Sequence, residues 1–373
     1  MSVAAKDGGD AYDAVLIQSF GGPNGPDDVD SFLANVLRGR EVNEDRLAEV
    51  RARYLTMGGV SPITAQTHAL GVALSAELTE QDLRLPVYVG ARNWHPYLAD
   101  TVATMHADGV RRALVVVTSA YASYSGCRQY SDDRDRACAQ ASVSDLVLDR
   151  VRHYFDHPGF IDSMTDNVVE ALDSVEAGVS GPVRLVFTTH SLPQVLADTS
   201  GPPEFHGLGS GGAYVAQHLA AAHAVVERVA EIRSNAHDWE LAFQSRSGAP
   251  STPWLEPDVT DRLVELAADG VAAVVLVPIG FVSDHMEVVW DLDVEAAAVA
   301  DKLGLVMARA TTVGASARFV AGLVELISER LAPASGRGTP LPGRACSPLG
   351  PSWDVCAATC CPRPVRARPE VSR

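Results

Sequence analysis

The segment PIGFVSDHMEVVWDLDVEA, residues 278–296, carries Asp284, Glu287, Asp291 and Glu295 at spacings of three, four and four. On a helix these carboxylates share one face, where like charges cost roughly 0.2–0.5 kcal/mol per pair. Asp284 at the helix start suits the dipole, whereas the later acids gain nothing from it. Acids kept in line against their own repulsion suit a cation that travels along them. The competing reading is a plain solvated face. His190 closes the apolar run VRLVFTTH, so TTHSLP (188–193) places it where a strand meets its loop. A neutral imidazole there takes a proton near neutral pH or ligates a divalent metal; a merely hydrogen-bonded histidine is the alternative. Two such junctions on one sheet edge bring His190 and Glu287 into a single cleft.

The elements that must position these residues are legible in outline. Apolar runs at 13–20, 85–91, 112–121, 183–190, 240–246, 271–281 and 305–311 read as strands buried on both faces. Between them, 64–80, 95–109 and 259–270 carry apolar residues at three/four spacing, and the last two end in Asp-Gly, a helix stop. Strand–helix alternation predicts an α/β fold with parallel sheets and right-handed crossovers. The strands divide around a joining helix in 153–175, which predicts two Rossmann-like halves facing a central cleft. The expected organisation is a disordered N-terminus over 1–12, a first half over 13–165, a second half over 166–332 with the metal site, and a linker with a cysteine-rich tail over 333–373. Within that tail, 333–345 has linker composition and the chain from 362 reads as disordered.

Composition narrows the function. A net charge of −17 without a compensating basic run argues against a nucleic-acid partner. No apolar run is long enough for a transmembrane helix, and the polar N-terminus lacks a signal-peptide core, so a cytoplasmic protein is expected. Six cysteines in such a chain are poor candidates for structural disulfides.

In open α/β sheets ligands bind outside the carboxyl ends of the strands, and several of those ends are polar or glycine-rich here. FGGPNGP (20–26) lacks the dinucleotide-binding spacing. SAYASYSGCRQY (119–130) offers hydroxyls over aromatic faces, QSRSGAPSTPWLEPD (244–258) adds Arg246 and Trp254, and RARYLTMGGVSPI (51–63) adds Arg53, Tyr54 and Ser61. Taken in order with LRGR, VGARNWHPY, THSLP and PIGFVSDHMEVVWDLD, these motifs resemble the ferrochelatase family across nearly 13–330, most closely its actinobacterial type.

The resemblance implies a lyase, a coproporphyrin ferrochelatase that inserts Fe²⁺ into coproporphyrin III and releases two protons. It implies His190 and Glu287 at the metal site, porphyrin contacts from Ser61, Tyr130 and Arg53, and an acid-bearing helix distorted towards the π form. Phe20 stands where some relatives have a tyrosine, and a phenyl ring cannot ligate iron. Arg53, Arg128 and Arg246 are the expected partners of the propionates. Residues 24–46 are dominated by charge, which favours a four-carboxylate substrate over a membrane-borne one and predicts no membrane insertion; a monomer is expected.

The tail sequence CSPLGPSWDVCAATCC places Cys346, Cys356, Cys360 and Cys361 directly after the linker. Related actinobacterial enzymes take three ligands of a [2Fe–2S] cluster from the C-terminus and one from the body, which implies Cys346, Cys356 and Cys361 with Cys127. Cys138 sits in a helical stretch, and Cys360 and Cys361 are hard to separate. A structural zinc site also suits clustered thiolates. Two other functions stay open: a chelatase for protoporphyrin IX or another tetrapyrrole, and a two-lobed tetrapyrrole-binding protein without catalysis.

Overall fold

The computed structural model describes residues 11–39, 43–206, 209–247, 251–334 and 343–363. Its chain builds two four-stranded sheets, each parallel throughout. The first holds β1 (Ala14–Ser19), β2 (Val87–Ala91), β3 (Arg112–Val117) and β4 (Val147–Arg150) in the order β2-β1-β3-β4. The second holds β5 (Val183–His190), β6 (Trp239–Gln244), β7 (Ala273–Val277) and β8 (Val306–Arg309) in the order β6-β5-β7-β8. The two orders are the same, so the expected α/β architecture of two Rossmann-like halves is what the chain forms. In each half the strand order reverses beside the first strand, so the exits of β1 and β3, and of β5 and β7, flank a crevice.

The central strands are wholly buried: β1 and β7 have no exposed residue, which fits their Val/Ile/Leu/Ala content and helices on both faces. Helices α1 (Val29–Val36), α2 (Glu44–Thr56), α3 (Pro62–Glu80), α4 (Leu98–Ala107) and α5 (Gln129–Gln140) surround the first sheet. Helices α6 (Pro158–Glu176), α7 (Gln194–Asp198), α8 (Gly212–Arg233), α9 (Val259–Ala268), α10 (Met286–Val288), α11 (Ala297–Leu303) and α12 (Ala317–Ala334) follow. One core runs through both halves, with Ile17 and Leu114 from the first sheet, Leu185 and Val275 from the second, and Phe160 and Phe319 between. The last helix, α12, packs on α6 and also returns to α3 in the first half.

Three expectations meet the structure differently. The strand β4, VLDR, is absent from the predicted set; its four residues include Asp149 and Arg150, so it lacks the apolar run that marks the others. The boundary expected after residue 165 falls inside α6, which continues unbroken to Glu176. Tyr12 belongs to the body rather than to a loose terminus: it is buried, stacks under Arg112 and bonds Asp149 through its hydroxyl at 3.0 Å. Of the predicted disordered and linker stretches, residues 1–10, 335–342 and 364–373 lie outside the described residues.

Candidate active site

A cleft of about 2520 Å³ lies between the halves, well beyond the ~300–1,000 Å³ of an ordinary small-ligand pocket. Its walls are the strand exits. Phe20 and Gly21 follow β1, residues 118–126 follow β3, His190 ends β5, and Gly280–Glu287 follow β7. The β7 exit crosses the tip of β5 so closely that a methyl group at Gly280 would overlap Thr189. Gly280 N–H donates to the Thr188 carbonyl at 3.1 Å, and Gly314 N–H to the Val282 carbonyl at 2.8 Å, which fixes that loop. The side chain of Glu287 is thereby presented to His190.

His190 Nε2 lies 3.7 Å from Glu287 Oε2, with the imidazole one-third and the carboxylate about half exposed. The other ring nitrogen, Nδ1, bonds the Ser191 carbonyl. A carbonyl only accepts, so Nδ1 carries the proton, and in the neutral ring Nε2 keeps the free lone pair facing the cleft. Tyr214 of α8 holds the strand end in place: its hydroxyl donates to the His190 carbonyl at 2.8 Å and bonds Thr189 Oγ1 at 2.7 Å.

From Glu287 the chain passes through α10 into a π-helical segment, Val289–Ala296, the distortion the resemblance implied. In an α-helix, residues four apart drift by about 40°. The wider i→i+5 turn reduces that drift, so Glu287, Asp291 and Glu295 stand more nearly in line. Asp284 leaves the stripe. It precedes the helix, accepts from Arg309 at 3.0 Å, and is tied to α3 through Gln66, whose Oε1 takes the Asp284 N–H at 2.7 Å. Asp291 is buried and bonded by the Ser245 hydroxyl. Burial pushes its pKa up to about 6, and the neighbouring Glu287 and Glu295 charges add to this while Ser245 and Arg53 oppose it.

The other predicted contacts divide. Ser61, buried at the start of α3, lies against Gly22 so tightly that a Cβ there would sit 2.6 Å from its own. Tyr130 is buried beneath the Arg92 guanidinium, 4.1 Å from the ring centre, and Arg92 pairs with Asp133. Both Ser61 and Tyr130 line the cleft, as do Phe20, Trp254, Arg53 and Arg246. Arg128 does not reach it: its guanidinium donates to the carbonyls of Ala358 at 2.8 Å and Cys360 at 3.1 Å. Sequence reasoning missed His285, Trp290, Arg92 and Arg363 on the cleft wall. His285 and Trp290 lie inside the acid segment 278–296, where the regular spacing of the carboxylates is the only pattern and neither side chain repeats.

Four of the six cysteines, Cys127, Cys356, Cys360 and Cys361, gather behind the cleft wall. Cys127 lies in a π-helical turn, Tyr124–Arg128, whose Tyr124, Ser125 and Gly126 face the cleft. Its sulfur is 3.6 Å from Cys356, and Cys360 is 3.8 Å from Cys361. Hydrogen bonding from Cys127 holds Cys356 and Cys361 down as acceptors, while the thiols of Cys127 and Cys360 are pushed up by bonding to Cys356. Three further donors point at sulfur: Trp353 Nε1 at 3.4 Å and Arg150 at 3.5 Å from Cys356, and the Gly201 N–H at 3.1 Å from Cys361. Cys346, expected with them, lies elsewhere, and the fourth thiol gathered with Cys127, Cys356 and Cys361 is Cys360. The Cys346 N–H is bound by the Asp156 carbonyl, and its side chain lies beside Arg228 in a groove between α6 and α8. Cys138 packs in a separate core on α5. Among the described residues no three His, Cys, Asp or Glu side chains are disposed to hold a single metal ion.

A macrocycle-sized cleft between two parallel-sheet halves, with an imidazole–carboxylate pair and a line of acids on its wall, is the arrangement of a metal chelatase. The sequence model of the ferrochelatase family matches residues 12–331. A coproporphyrin III ferrochelatase of Streptomyces coelicolor is 52% identical over 94% of this chain and 93% of its own length. One from Leifsonia xyli is 46% identical over 94% and 91%. Among solved structures, the sirohydrochlorin chelatase SirB of Bacillus subtilis superposes at TM-score 0.47 with 9% identity, over 87% of this chain and 97% of that one. This chain belongs to the ferrochelatase family.

Proposed function

We propose that the protein inserts Fe²⁺ into coproporphyrin III to give Fe-coproporphyrin III, a step of heme biosynthesis. The observation that carries this reading is the His190–Glu287 pair at the end of an acid stripe in a cleft of macrocycle size. The named activity of relatives at about half identity over most of both chains supports it. The free-base porphyrin must lose two N–H protons as its four nitrogens take the metal. Nε2 of His190, its lone pair fixed by the Nδ1 bond to Ser191, accepts a pyrrole proton or ligates the iron. Glu287 binds the arriving cation and helps strip its water. Asp291 and Glu295 extend that negative path outward, for iron in or protons out. Ser61, Tyr130 and Arg53 hold the porphyrin from the first half.

The four gathered thiols suit a [2Fe–2S] cluster on Cys127, Cys356, Cys360 and Cys361. All-sulfur donors, burial of Cys127, Cys360 and Cys361, and N–H groups aimed at two of the sulfurs support that ligand set over one with Cys346. A bound cluster would supply an electron-accepting centre and a covalent clamp between the tail and the Cys127 turn, with the Gly201 loop joined to it by the N–H bond to Cys361. The His190 site does not draw on it.

No helix among the described residues is long and apolar enough to cross a membrane, in keeping with a cytoplasmic enzyme acting on a soluble, four-propionate substrate; we take it to act as a monomer. Steady-state insertion into coproporphyrin III and protoporphyrin IX tests the reading. Coproporphyrin III is expected to show the much higher kcat/KM, with no detergent requirement. Equal values, or membrane dependence, would overturn the substrate assignment.

A further inference from the structure

Arg53 lines the cleft, and its present partners are Glu49 of its own helix and two acids of the opposite half. It projects from α2 with its side chain about one-quarter exposed. Nη2 is 3.2 Å from Glu295 Oε1 and 2.7 Å from Glu49 Oε1, while Nη1 is 3.9 Å from Asp291 Oδ1. The guanidinium carbon sits 5.3 Å from the Trp290 ring centre, and Trp290 Nε1 donates to the same Glu295 oxygen at 2.7 Å. A first-half cation therefore rests on two of the three stripe carboxylates. The third, Glu287, faces His190 instead.

We infer that Arg53 is a gating residue, a built-in counter-cation that occupies the Asp291–Glu295 stretch until a porphyrin propionate draws it away and opens the stripe to the metal. The inference rests on the reading of the cleft as the porphyrin site and of the stripe as the metal's route. A guanidinium cannot be deprotonated, so no rise in pH removes its charge from the stripe; above the range in which the carboxylates protonate, only movement of Arg53 unloads it. Its ion pairs here are partly exposed and spread over three carboxylates, a geometry that contributes little to stability. A propionate offers a bidentate carboxylate to the same fork, which is the stronger arrangement. While Arg53 rests on the stripe, a divalent ion meets a positive charge at Glu295 and Asp291. Once Arg53 turns to the substrate, two carboxylates are released together. Porphyrin binds first and metal second, and the empty enzyme is kept from collecting divalent ions.

The test uses the full chain and Mn²⁺, which favours carboxylates over thiolates and so ignores the cysteine tail. Free Mn²⁺ is followed by its solution paramagnetic resonance signal. Without porphyrin, Arg53→Gln should bind Mn²⁺ roughly tenfold or more tightly than the wild type, within the usual range for coupled sites. Zinc coproporphyrin III carries the propionates but cannot take a second metal. Adding it should raise Mn²⁺ affinity of the wild type towards that of Arg53→Gln and leave the variant unchanged. Adding Glu295→Gln to Arg53→Gln should abolish the gain. Equal Mn²⁺ affinity in wild type and Arg53→Gln would overturn the gate, as would a gain that survives Glu295→Gln. Iron insertion by His190→Ala, measured in parallel, keeps the two readings apart: normal insertion there refutes the active site itself, whatever Mn²⁺ does.

Discussion

At the scale of single residues, the structure brings two strand-end side chains, His190 and Glu287, within 3.7 Å of each other on the cleft wall, the pair we propose handles proton and metal. His190 and Glu287 were legible because β5 and β7 are neighbours, and adjacent parallel strands deliver their exits to one edge. Arg128 was misread for a physical reason. Its partners are backbone carbonyls about 230 positions away, and no local pattern announces a long-range carbonyl cage. Asp291 yields a pH prediction. Its folded pKa, about 6, stands above the ordinary 3.8, so ionising it in place costs stability. That contribution is most favourable below the ordinary value and is lost as pH rises through about 6. Metal affinity runs the other way, because the ionised carboxylate appears over the same window. The KM for Fe²⁺ should fall as pH rises through about 6, and Asp291→Asn should flatten that profile. An unchanged profile in the variant would remove Asp291 from the metal's path.

At the scale of elements, seven of the eight strands and the main helices could be read from apolar periodicity, because buried parallel strands are near-continuous Val/Ile/Leu runs. β4 escaped because an edge strand of four residues with an Asp-Arg end carries no such run. The π segment was implied only by family resemblance, since i→i+5 bonding leaves no compositional mark. Its importance can be measured. Deleting Val294 should restore an α-helical turn and leave Glu295 three positions from Asp291, about 60° round the helix axis from it. Fe²⁺ insertion should drop by an order of magnitude or more at unchanged porphyrin affinity; retained insertion would mean the alignment is incidental. The tail makes a second element-scale prediction. Cys346→Ser should keep iron, sulfide and visible colour after anaerobic purification, whereas Cys360→Ser should lose them. Loss of colour in Cys346→Ser would restore the set first expected from sequence. Cys360 could not be chosen in advance because adjacent cysteines differ only in the direction the chain gives them.

At the scale of the whole molecule, the repeated strand order 2-1-3-4 went unseen because the two halves share topology without shared residues. What that duplication provides is a cleft with two chemically different walls. The first half contributes Ser61, Tyr130, Arg92 and Arg53, which on our proposal meet the ring and its carboxylates, and the second contributes His190, Glu287 and Asp291, which on the same proposal meet the metal. A single core and the returning α12 tie the walls together, and Tyr121 spans the floor by donating to the Ile279 carbonyl at 3.0 Å. Binding and insertion should therefore be separable. The most direct measurement is anaerobic, multiple-turnover absorbance of coproporphyrin III with Fe²⁺, run on the wild type, His190→Ala and Glu287→Gln, with porphyrin affinity measured on the same samples. The wild type should form many equivalents of Fe-coproporphyrin III per chain. Both variants should bind porphyrin nearly as well and lose roughly a hundredfold or more in kcat, the signature of an interaction made in the transition state. Near-normal turnover in either variant, or a wild type that only shifts the porphyrin spectrum without releasing product, would contradict the assignment.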